Sequence, residues 1–106
     1  MAWLLLALAG LFEVGWAVCL KSSRGFTRPW PSAGFAAFML ASVYLLAVAL
    51  KTLPLGTAYT VWTGIGAVGS VILGIVLFGE SADLPRLACI ALIVVGIIGL
   101  KLATPD

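Results

Sequence analysis

Four apolar runs, each long enough to cross a bilayer as a helix, constrain this chain more than any other feature. A helix needs about 20 apolar residues to span a hydrocarbon core of roughly 30 Å. Ala2 to Leu20 is apolar apart from Glu13, and the polar stretch KSSRGFTRPWP follows it. Ser32 to Leu50 is closed by KTLPLG, and Thr57 to Phe78 by GESADLP. Leu87 to Leu100, between Arg86 and Lys101, is the fourth and shortest run. Pro stands in each connection and Gly in or beside each, as expected where helices stop. The pattern predicts four helices, at residues 2–20, 32–50, 57–78 and 86–102, in one domain over residues 1–106. Composition agrees: 63% of the residues are hydrophobic and 9% charged, where a soluble domain spends about a quarter on charge. That excludes both a water-soluble globule and a disordered chain. The net charge of +2 is too small for a nucleic-acid footprint. With no His, the usual general base and the commonest metal ligand are missing. The fold class is an all-α integral membrane protein, and no enzyme, metal or cofactor is expected.

The first run lacks the basic n-region of a signal peptide, and bulky Val18 spoils the lipoprotein-like Ala17-Val18-Cys19. It is therefore expected to stay as a span. Cys19 and Cys89 lie in or at the end of apolar runs, where a thiol acts as a small hydrophobe, so free thiols are expected. Four spans put both termini on the side of the second connection. That side carries Lys51 and Lys101, and the other carries Lys21, Arg24, Arg28 and Arg86. An excess of two is a weak orienting signal. It nominally puts the termini outside and makes insertion in both orientations a reasonable expectation.

Glu13 is the outstanding residue, because every other charge falls in a loop, at a span end or in the tail. An ionised side chain at that depth costs about 2.5–3.5 kcal/mol on insertion scales, so it is expected to face a cavity and have a use. The bland alternative is a protonated, hydrogen-bonded acid within the bundle. A carboxyl so placed can bind a proton or a cationic ligand. Ala9, Gly10 and Ala17 leave room one turn away, and Trp16 at i+3 adds an aromatic wall.

In the third run Tyr59, Trp62, Thr63, Gly66 and Ser70 recur at helical spacing. Aromatic rings attract cations, and indole N–H and phenol O–H groups can hold a carboxylate. An interfacial aromatic belt is the competing reading. Ser42 sits mid-span near Tyr44, but a lone Ser in a helix commonly bonds its own backbone. Gly64 to Gly69 fits G-x-G-x-x-G, yet a dinucleotide fingerprint needs a preceding strand and a parallel sheet, for which there is no room. Gly66, Ser70 and Gly74 read better as a close-packing stripe, and Gly64 with Gly66 as a helix bend. In the fourth run Ala88, Ala91, Gly96 and Gly99 suggest helix contact and hence assembly.

With these features the chain resembles the small multidrug resistance family of bacterial exporters, along its whole length. The motifs are GFTRPWPS, LPLGTAYTVWTGIGAVGS and the membrane Glu13. FEVGWAVCLK with Trp16, WTGIGAVG from Trp62 and GIIGLK ending at Lys101 are similar to the guanidinium exporter subtype. The resemblance implies an antiparallel, dual-topology homodimer in the bacterial inner membrane, with the fourth helices as its seam. It implies that Glu13 binds substrate and protons, protons being the coupling ion. Trp16, Ser42, Tyr59, Trp62 and Thr63 would line the pocket and orient Glu13, and Gly10 would leave space. The Gly64/Gly66 region would flex between outward-open and inward-open states.

Guanidinium is planar, permanently charged and weakly hydrated, with N–H groups that match a carboxylate fork. The expected function is proton-coupled guanidinium export, extending to small substituted guanidines. The alternatives are export of hydrophobic quaternary ammonium drugs, against which Trp16 crowds the pocket, and a non-transporting membrane subunit whose Glu13 pairs with a partner's helix; a paired heteromer is the alternative to the homodimer.

Overall fold

The computed structural model describes residues 2–104; Met1, Pro105 and the tail acid Asp106 lie outside the described residues. Among the described residues there are four helices: α1 (Ala2–Ser22), α2 (Pro29–Ala49), α3 (Leu55–Phe78) and α4 (Leu84–Ala103). All four are long and apolar enough to cross a membrane.

Their ends differ from the expected boundaries: α1 runs on to Ser22, α3 begins at Leu55, α4 runs on to Ala103, and α2 closes one residue sooner, at Ala49. The prolines expected beyond the helices stand inside them, Pro29 and Pro31 in α2 and Pro85 in α4. Proline fits a first turn because it lacks only an N–H that would have no helical partner, and its φ is already helical. So α2 starts at Pro29 rather than Ser32, and α4 starts at Leu84, before Arg86. Asp83 caps α4 by accepting the Arg86 N–H at 3.2 Å, which satisfies one free donor of the first turn. Gly79, at φ 67°, ends α3 in the left-handed region, where Gly carries no Cβ penalty.

The α1–α2 turn is tighter than its polar composition suggests. Arg24, Gly25 and Phe26 all have positive φ, at 50°, 71° and 67°. Fully buried Ser23 organises it. Its hydroxyl donates to the Leu20 carbonyl at 2.7 Å and accepts from the Phe26 N–H at 3.1 Å. The Ser23 carbonyl takes the N–H groups of Thr27 and Arg28.

The helices lie side by side in the order α2, α1, α3, α4, because α1 packs on both α2 and α3 while the backbone of α4 approaches only α3. The result is a slab of 43 × 34 × 17 Å rather than a closed bundle. Its buried core is Leu6, Ala9, Leu46, Ala49, Leu53, Ala58 and Val61, all toward the α2–α3 turn. No described residue of α4 is buried. Its Ile93 and Ile97 sit on Gly64, whereas Ala88, Ala91, Gly96 and Gly99 are exposed, and a Cβ on Gly96 or Gly99 would meet open space. Cys19 and Cys89 are free thiols.

Candidate functional site

Small residues let α1 and α3 approach closely, and that approach defines the surroundings of Glu13. Three layers interlock along the contact. A Cβ built on Gly10 would come within 2.5 Å of Ile65 Cγ2, and one on Gly69 within 3.3 Å of Val14 Cγ1. Between them, a Cβ on Gly66 would fall 2.8 Å from Glu13 Cγ and overlap its carboxyl group. The carboxyl therefore lies directly on the Gly66 backbone. Glu13 Oε1 is buried and has no hydrogen-bond partner among the described residues. A buried polar atom left in that condition is costly.

Beside it runs a hydrogen-bond chain across three helices. Trp62 Nε1 donates to Ser42 Oγ at 2.9 Å, and Ser42 Oγ donates to the Ala9 carbonyl at 2.7 Å. Ser42 is fully buried and bonds another helix, not its own. The chain ends on Ala9, one turn before Glu13, so it fixes the helix that carries the carboxyl rather than the carboxyl itself. Tyr59 extends the aromatic surface, its ring centroid 5.5 Å from that of Trp62.

Trp16 takes the other side of α1. Its ring meets Phe35 of α2 edge-on, at 5.6 Å and 84°, and its buried Nε1 has no partner among the described residues. Thr63 is set apart from the group. It is exposed in a groove of about 570 Å³ between α3 and α4, with Tyr59, Gly64 and Ile97. The space at Gly10 is taken up by Ile65. The helix α3 runs unbroken through Gly64 and Gly66, and each glycine meets a neighbour: Ile97 Cδ1 would lie 2.9 Å from a Cβ on Gly64. Phe35, Ile65 and Ser23 carry no sequence signal that would have singled them out.

Beyond Glu13 the α1–α3 contact opens into a cavity of about 230 Å³, lined by Ala17, Lys21, Ser70, Gly74, Phe78 and Glu80 among others. The expected stripe of Gly66, Ser70 and Gly74 thus faces α1. At the outer end Lys21 Nζ lies 3.4 Å from Glu80 Oε2, and Arg86 3.8 Å from Glu80 Oε1.

A family model described as Small Multidrug Resistance protein matches residues 1–93. Guanidinium exporters of Yersinia pseudotuberculosis and of Escherichia coli strain K12 are each 62% identical over 104 residues. The alignment covers 98% of this chain and 100% and 99% of those proteins. A guanidinium exporter of Citrobacter freundii is 58% identical over the same length.

Proposed function

Because the chain belongs to the Small Multidrug Resistance family of multi-pass membrane transport proteins, we propose that it exports guanidinium in exchange for protons at Glu13. The observation that carries this reading is the Glu13 carboxyl, seated mid-span on Gly66 with an unpartnered buried oxygen. Relatives 62% identical over nearly the full chain bear the name guanidinium exporter, which supports the substrate. A carboxylate fork and nearby aromatic rings suit a planar, weakly hydrated cation.

Proton and guanidinium compete for one group, so each lowers the affinity of the other by the same factor. The sign follows from charge. A protonated Glu13 has nothing to hold the cation, so guanidinium affinity falls as the pH falls through the titration of Glu13. If the site changes sides only when loaded, inward proton flow drives the cation out. The site works by alternating access, with the Gly64/Gly66 stretch of α3 flexing. A second copy in the opposite orientation completes it across the α4 face, in the bacterial inner membrane. The protein is a carrier without cofactor or catalytic residues. The exposed Leu84, Leu92, Val95 and Leu102 on one side of α4, with Ala88, Ala91 and Gly99 between them, support that seam, since small residues allow helices to approach closely in lipid.

The deciding experiment is guanidinium uptake into proteoliposomes driven by a pH gradient, beside a quaternary ammonium ion. Saturable guanidinium uptake that Glu13→Gln abolishes is expected. Unchanged proton-driven transport by Glu13→Gln would falsify the role of Glu13, and preferential uptake of the quaternary ammonium ion would overturn the substrate.

A further inference from the structure

Lys21 reaches into the cavity beyond Glu13 and places its ammonium in a ready-made cation site. Its Nζ is 3.4 Å from Glu80 Oε2 and 5.2 Å from the centroid of the Phe78 ring. A carboxylate and an aromatic face are the two groups that hold small organic cations. The rest of the wall is built for closeness: a Cβ on Gly74 would fall 2.8 Å from Glu80 Cδ, so only a glycine lets the carboxylate lie there. Arg86 lies 3.8 Å from Glu80 Oε1, the oxygen nearest Gly74, and is itself anchored on the Ser81 carbonyl at 2.8 Å. The cavity of about 230 Å³ has room for a molecule of a few heavy atoms, since a water takes about 30 Å³ of liquid volume. It ends one helical turn from the functional carboxyl. Ala17 and Ser70 line it, and they stand at i+4 from Glu13 and from Gly66.

We propose that Glu80, Phe78 and Gly74 form an outer, low-affinity guanidinium site on the path to Glu13, in which the Lys21 ammonium is a tethered competitor. Lys21 is more than half exposed, so its ion pair contributes little and the side chain swings into solvent at small cost. A free guanidinium that replaces it sets two parallel N–H groups of a planar fork on the two carboxylate oxygens, a geometry that the tetrahedral ammonium does not offer. The close packing of Glu80 on Gly74 keeps the carboxylate in place during the exchange. The identity of the cation rests on the exporter reading above; the site itself rests on the cavity and its lining.

The test is a titration with isotope-labelled guanidinium, followed by saturation-transfer NMR in lipid nanodiscs, on protein lacking the inner carboxylate. Glu13→Gln should retain weak, saturable binding. Adding Glu80→Gln should remove it. Adding Lys21→Gln instead should tighten it by about fivefold, because the site is then no longer occupied by its own side chain. A gain in affinity cannot come from a misfolded variant, so the Lys21→Gln arm decides even where Glu80→Gln unfolds. The outer site is refuted if Glu13→Gln/Lys21→Gln binds no more tightly than Glu13→Gln, or if binding survives Glu80→Gln unchanged. Full-affinity binding by Glu13→Gln would instead overturn the reading of Glu13, and the Glu80 and Lys21 arms would still judge the outer site.

Discussion

Glu13 and Gly66 act as a pair, because the carboxyl occupies the space a side chain on residue 66 would need. Gly66→Ala is a favourable change for an isolated helix, yet here the new methyl must displace the carboxyl or push α1 from α3. We expect a folded protein whose guanidinium affinity is about tenfold weaker, a change worth about 1.4 kcal/mol, measured by equilibrium binding in detergent. Unaltered affinity would show that the carboxyl does not bind from this position. Glu13 was legible in the sequence because a lone acid in an apolar span has no inexpensive explanation. The link from Trp62 through Ser42 to Ala9 was not. Spacing along one helix says nothing about which backbone carbonyl of another helix comes opposite, and Ser42 alone reads as a residue bonded to its own turn. Thr63 shows the same limit from the other side. It shares the spacing of Tyr59 and Trp62, but it opens with Tyr59 into the groove between α3 and α4, away from the Trp62–Ser42 hydrogen bond.

At the scale of the elements, four helices were legible from run length alone, and their ends were not. Proline ends one helix and begins the next with the same residue chemistry, so its position cannot say which side of a boundary it occupies until the cap is seen. The α1–α2 turn makes the point with energies. Two of its three positive-φ residues are not glycine, and each such residue costs roughly 1–2 kcal/mol. Ser23 offsets this by closing the turn from within. Ser23→Ala would leave the Phe26 N–H of this part-buried turn without its acceptor, and losing such a hydrogen bond costs about 1 kcal/mol. Thermal unfolding in detergent should show a lower midpoint for Ser23→Ala, with guanidinium binding at the permissive temperature retained. A midpoint equal to that of the unaltered chain would mean the turn is held by its neighbours instead.

For the whole molecule, the flat layer leaves α4 with one side on α3 and the other uncovered, Leu102 being 84% and Leu84 79% exposed. If a second copy covers that side, Gly99→Leu should block it, since nothing lies within 4 Å of the space its Cβ would take and only a partner would feel the change. Cross-linking in proteoliposomes should then give a mostly monomeric species and lost transport; a dimer undiminished by Gly99→Leu would place the seam elsewhere. The packed core has a further consequence. All seven of its residues lie toward the α2–α3 turn, whereas the opposite end has one buried serine, aromatic edges and two solvent-exposed ion pairs on Glu80. Local opening follows burial, so amide exchange should be slowest around Leu6, Leu46 and Val61 and fastest from Trp16 outward and beyond Ser70. The layer is thus stiff at one margin and compliant at the other, like a book bound along one edge, and Glu13 sits where the pages begin to part.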